Sequence, residues 1–106
     1  MPKYLIRASY TVDGVHGLLK DGGTKRRTAV NVVMKSLGGS VEAFYYAFGD
    51  TDVYLIVEAP DNATAAAVSL AVSASGAVAL STTPLLSPEE IDQATKKTVN
   101  YQMPGR

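Results

Sequence analysis

Gly22-Gly23-Thr24-Lys25-Arg26-Arg27 is the stretch of this 106-residue chain best suited to chemistry. Two glycines before a helix start leave backbone N–H groups without partners, and three cations follow within one helical turn. Free N–H groups and the positive end of a helix dipole attract carboxylates and phosphates. Cations in that first turn oppose the dipole, so the arrangement loses a little stability unless an anion is present. Lys20 lies near the glycine break and can join the cluster. Lys20, Gly22, Gly23, Lys25, Arg26 and Arg27 therefore form a candidate anion-binding loop. The same residues also suit a flexible break with a solvated basic surface, or a contact to acidic residues of another copy. The Gly-Lys-Ser/Thr ending of a Walker loop is missing.

A second candidate is the turn Gly49-Asp50-Thr51-Asp52, whose carboxylates, Asp50 and Asp52, stand two residues apart. Paired carboxylates serve acid/base chemistry or a weak cation site. Ordinary hairpin-turn chemistry accounts for the same residues, since Gly and Asp supply positive φ and local hydrogen bonds. His16 is the single histidine and lacks partner ligands for a transition metal, so no metal site is expected. No serine sits in a Gly-x-Ser-x-Gly elbow.

These residues are carried by a legible series of elements. Tyr4 to Tyr10 reads as a strand with Tyr4, Ile6 and Ala8 on one face and Leu5, Arg7 and Ser9 on the other. Thr11 caps a helix starting near Val12, which Gly22-Gly23 interrupts. Thr24 is the expected cap of a second helical segment carrying Val30, Val33, Met34 and Leu37, ended by Gly38-Gly39. Two strands follow around the 49–52 turn, and Pro60-Asp61-Asn62 stops the second of them. Asp61 caps an Ala/Val/Leu helix that runs to Gly76. Residues 77–86 read as a fourth strand with Pro84 marking an edge. Ser87-Pro88-Glu89-Glu90 fits a capping box, with a short helix to about Lys97 and an extended tail over 98–106. The order is βαββαβ plus a terminal helix, an α+β ferredoxin-like domain over residues 1–97.

Both faces of the strands in 39–60 carry bulky apolar side chains, while helices cover only one. Alternation groups Glu42, Phe44, Tyr46 and Phe48 against Val41, Ala43, Tyr45 and Ala47. The small-residue set is expected under the helices, where Ala43 and Ala47 leave room. Phe44, Tyr46, Tyr54 and Ile56, with Leu5 and Arg7, would then line an open face meeting another copy of the chain. Arg7, Tyr46, Tyr54 and Glu58 supply the polar groups of a pocket there, or simply the interface, with Arg7 paired to Glu58 or Glu42. A bulge would swap the two faces.

Ten basic and ten acidic side chains give zero formal net charge, which counts against nucleic acid as a partner. The chain has no cysteine, so disulfides, thiolate catalysis and cysteine-ligated metals are excluded. No signal-peptide core is visible, and the Ala-rich 63–80 segment is too weakly apolar to span a bilayer. The expectation is a cytoplasmic protein with no membrane partner.

Gly17-Leu-Leu-Lys-Asp-Gly-Gly-Thr-Lys-Arg-Arg27, Glu42-Ala-Phe-Tyr-Tyr-Ala-Phe-Gly-Asp-Thr-Asp52 and Pro84-Leu-Leu-Ser-Pro-Glu-Glu90 resemble the GYD-domain proteins, a widespread bacterial family. Thr98-Val-Asn-Tyr101 with Pro104-Gly105 is a looser match. The family takes its name from a Gly-x-Tyr-Asp turn; here Gly49 and Asp52 stand in place and Thr51 occupies the tyrosine position. The resemblance implies a ferredoxin-like, oligomeric protein and brings no established reaction, substrate or cofactor.

The residues favour a homo-oligomeric binding module for a small anionic metabolite. The alternatives are a cofactor-free enzyme of the dimeric α+β barrel type, a monooxygenase or isomerase, or a purely structural subunit.

Overall fold

The computed structural model describes residues 1–105. Its elements are β1 (Lys3–Tyr10), α1 (Val12–Asp21), α2 (Gly23–Ser36), β2 (Ser40–Tyr46), β3 (Val53–Glu58), α3 (Asn62–Ala74), β4 (Val78–Leu85) and α4 (Pro88–Thr95). The strands form one antiparallel sheet in the order β2-β3-β1-β4. That order is consistent with the ferredoxin-like fold.

The two central strands make the core by strict alternation. Tyr4 and Ala8 of β1 and Val53, Leu55 and Val57 of β3 are buried on the helical side, with Met34 of α2 and Ala65 of α3 packed over them. Tyr4 is 2% exposed, and its hydroxyl donates to Asn62 Oδ1 at the start of α3. The expected alternation of β1 and β3 holds.

On β2 Val41 faces the helices as expected, and from Ala43 onward the expected faces are reversed. Val41 pairs with Val57, but Ala43 pairs with Ile56, so Glu42 is an extra residue in a bulge. A bulge shifts the side-chain parity of everything after it by one. Phe44 and Tyr46 therefore turn under the helices, packed edge-to-face with ring centres 5.4 Å apart. Ala43 and Tyr45 face outward instead. The bulged Glu42 reaches Lys3 Nζ at 2.9 Å, and Glu58 lies 3.8 Å from the same nitrogen. Those carboxylates, Glu42 first, raise the Lys3 pKa. Lys3, not Arg7, is the partner that these glutamates hold.

The caps follow local chemistry. Thr11 accepts the Gly14 N–H at the start of α1, and Asp61 accepts the Thr64 N–H at the start of α3. The Thr64 backbone and hydroxyl hold Asp61 below the usual carboxylate range. Its contribution is complete above that range and lost as the pH falls through its lowered value. Asp61→Ala should therefore flatten the acid limb of a melting-temperature profile; an unchanged limb would remove the cap from the acid response.

Thr24 is not the cap of α2. Gly22 is, at φ 81°, with no side-chain hydrogen bond, so the helix begins two residues before the expected position. The β2–β3 connection is also wider than a four-residue turn. Phe48 lies outside the strand and is fully exposed, while the Asp52 N–H bonds Ala8 O at 2.9 Å.

Ser87 and Glu90 form the expected capping box on α4, with Pro88 in the first turn. Every described residue from Pro88 to Gly105 is exposed, and the molecule reaches 57 Å along its longest axis. Its radius of gyration is 17.1 Å, where a compact domain of 100 residues measures about 13 Å. Since no residue of α4 is buried, its helicity rests chiefly on its caps. Ser87→Ala, costing about 1 kcal/mol of helix stability, should erase hydrogen-exchange protection in α4 and leave the global melt unchanged. A lowered melt would mean that α4 is packed in solution. Among the described residues no helix is long and apolar enough to cross a membrane.

Candidate functional site

Helix α2 packs against the edge strand β2, and α3 packs against the opposite edge strand β4. Met34 and Ala65 reach over the central strands, but the two helices leave a gap between them. Between them lies an apolar slot of about 230 Å³. Val30, Val33 and Met34 form one wall, Val68 and Val72 the other, and Phe44, Leu55 and Leu80 belong to the floor. Protein interiors rarely leave a void larger than a water molecule.

Three lining residues carry polar groups: Arg26, Tyr10 and Ser69. Ser69 is already committed, donating to Ala65 O at 3.0 Å and lying 2.7 Å from Thr82 Oγ1. Arg26 enters no ion pair among the described residues. Arg26 is the one charged residue among those that line the slot.

Tyr10 also borders a second hollow, shared with Gly23, Tyr46, Phe48 and Asp52. The Tyr46 hydroxyl donates to Gly23 O at 3.0 Å. A side chain at Gly23 would place its Cβ 2.9 Å from the Tyr46 ring, so only glycine permits this approach. Burial, and then the Tyr10 phenol beside it, push the Tyr46 pKa up to about 12, against the opposing pull of Arg26 and Arg27. Tyr46 should thus ionise after an ordinary tyrosine, with the stability tied to its neutral form complete below pH ~10 and lost as the pH rises towards 12. Ultraviolet titration of wild type and Tyr46→Phe checks this: the late-titrating phenol should vanish in the variant.

The cations of the basic loop do not converge. Lys25 turns back to Asp21 at 3.5 Å, Arg26 lines the slot, and Arg27 borders a hollow beside Asn31 and Glu42 at the β2 edge. Consecutive helical residues stand about 100° apart, which forces this fan. Lys20 is exposed on the last turn of α1. The Gly22-Gly23 backbone stays beside Arg26 through chain connectivity.

Arg7, Tyr54 and Glu58 share the open face, where Arg7 pairs in register with Tyr54 and Ser81. Tyr46, expected with them, lies on the opposite side because of the bulge. In the turn, Asp52 Oδ2 accepts the Tyr10 N–H at 2.8 Å, and Asp50 O accepts the Ser9 hydroxyl at 2.6 Å. Asp52 thus ties the turn to the end of β1; Gly49 and Asp50 are exposed.

Tyr10 is the residue that sequence reasoning passed over. It continues the inward series Tyr4, Ile6 and Ala8 by two, which was signal enough. The fold gathers Tyr10, Gly23, Arg26, Tyr46 and Asp52 around two adjoining hollows. An apolar chamber with one arginine at its lining suits a ligand with an apolar body and an anionic group.

Neither the curated proteins nor the solved structures contain a significant match to the chain. The GYD domain family matches residues 4–95, from β1 to the end of α4. With all eight elements inside or overlapping the match, the chain belongs to the GYD-domain family.

Proposed function

We propose that this protein is a self-associating binding module for a small anionic metabolite, held by Arg26 beside the Gly22-Gly23 break. The observation that carries the reading is Arg26 itself, a half-buried arginine at the lining of an apolar slot, with no ion-pair partner among the described residues. A charge so placed gains most from a bound counterion. The α2 N-terminus supports the same polarity, since Gly22 offers its first-turn N–H groups no side-chain cap.

Self-association is supported by the uncovered sheet face, where Tyr45 is 72% and Tyr54 41% exposed around Leu5 and Ile56. The projecting Leu86, Ile91, Val99 and Tyr101 add apolar surface that the described fold does not cover.

Calorimetric titration with a panel of small carboxylates and phosphates tests the binding reading. Arg26→Met should weaken the binding anions by about 10- to 100-fold, the worth of one charged hydrogen-bonded contact. Lys25→Met, which removes the cation already paired with Asp21, should change affinity little. Equal affinities for wild type and Arg26→Met would overturn the assignment.

A further inference from the structure

Resting on the anion-binding reading, we infer that the ligand is an amphipathic monocarboxylate whose hydrocarbon body fills the slot between α2 and α3.

The walls set the body. Apart from Arg26, Tyr10 and the already bonded Ser69, every residue lining the slot is apolar. Polar groups placed along those walls would lose water without gaining partners. The volume sets the size. An apolar cavity of roughly 150 Å³ holds one benzene ring, so a slot of about 230 Å³ takes one ring with a short chain, or a short acyl chain alone.

The cations set the head. Lys25 is held by Asp21, and Arg27 borders a different hollow, so Arg26 alone faces the slot. One guanidinium balances one negative charge; a second charge would be left unpaired against apolar walls. Its planar fork matches a carboxylate through two parallel hydrogen bonds. Tyr10, which lines both this slot and the hollow beneath Tyr46, marks where the polar end meets water. The carboxylate thus sits at Arg26 and Tyr10, with the body running along Val33, Val68 and Val72.

Four probes separate head from body: 3-phenylpropanoate, its neutral counterpart 3-phenylpropan-1-ol, acetate and inorganic phosphate. The phenyl acid should bind about 10- to 100-fold more tightly than acetate, from the apolar area that a ring buries. It should also bind more tightly than the alcohol, and Arg26→Met should reduce it to the alcohol's level. Val72→Phe, which fills the slot, should remove binding of both ring compounds. Nuclear Overhauser contacts from the bound phenyl protons to the Val33, Val68 and Val72 methyls give an independent readout should that variant misfold.

If acetate and phosphate bind as well as the phenyl acid and all weaken in Arg26→Met, the anion reading stands and the amphipathic inference falls. If acid and alcohol bind equally and Arg26→Met changes neither, the anion reading falls and takes this inference with it. Binding without contacts to the three valines, or no binding of any probe, also overturns the inference.

Discussion

Gly14→Ala should lower the melting temperature by about 10–20 °C, and Gly17→Ala, one turn later in the same helix, should raise it slightly. Alanine is the better helix former by roughly 0.5–1 kcal/mol, so propensity alone predicts a gain at both positions. Gly17 has open space around it and should show that gain. At Gly14 a Cβ would lie 2.0 Å from the Ala77 carbonyl oxygen and 2.9 Å from the Tyr10 ring. The obstacle is backbone, which cannot rotate aside. Helix α1 would have to lift from the start of β4, straining the bonds from Thr11 N and Oγ1 to Ala77 O and Gly76 O at 3.0 and 2.8 Å. A cost of about 3 kcal/mol or more exceeds the propensity gain and is a large part of a total near 5–15 kcal/mol. Thermal melts at one protein concentration check it, because self-association would shift the midpoint. A Gly14→Ala protein as stable as wild type would mean that α1 does not pack against Ala77.

Under the proposed self-association, Ile56→Asp should yield monomers with unchanged circular dichroism. Ile56 faces outward between its register partners Leu5 and Ala43, at the centre of the open sheet face. In a two-fold interface the substitution appears twice, burying two unpaired carboxylates opposite one another. Breaking burial in this way costs about 3–5 kcal/mol per uncompensated charge, enough to weaken association by a hundredfold or more. The fold should survive, since the core faces the other way through Val53, Leu55 and Val57. Native mass spectrometry of wild type and variant decides it. A monomeric wild type would overturn self-association, and an assembly that survives Ile56→Asp would place its contacts elsewhere.

The slot at Arg26 depends on both levels of description. The Gly-Gly break and the basic run were plain in the sequence as a candidate anion loop. Which cation serves it was not, because three adjacent helical residues point three ways. Only packing shows that Lys25 meets Asp21, that Arg27 borders the β2 edge and that Arg26 lines the apolar slot. Tyr46 shows the same limit. Alternation placed it with Phe44, which is right, yet the single extra residue at Glu42 decided which side both would face.

By itself the sequence determined the order of elements, the caps at Thr11, Asp61 and Ser87, the inward faces of β1 and β3, and the family resemblance. These follow from local forces: side chain to nearby backbone, glycine φ and the period of two or 3.6. The tertiary structure alone decided the bulge at Glu42, the Lys3 cluster, the gap between α2 and α3 and the isolation of Arg26. Each of these depends on where segments distant in the chain come to rest, and local periodicity holds no information about that distance.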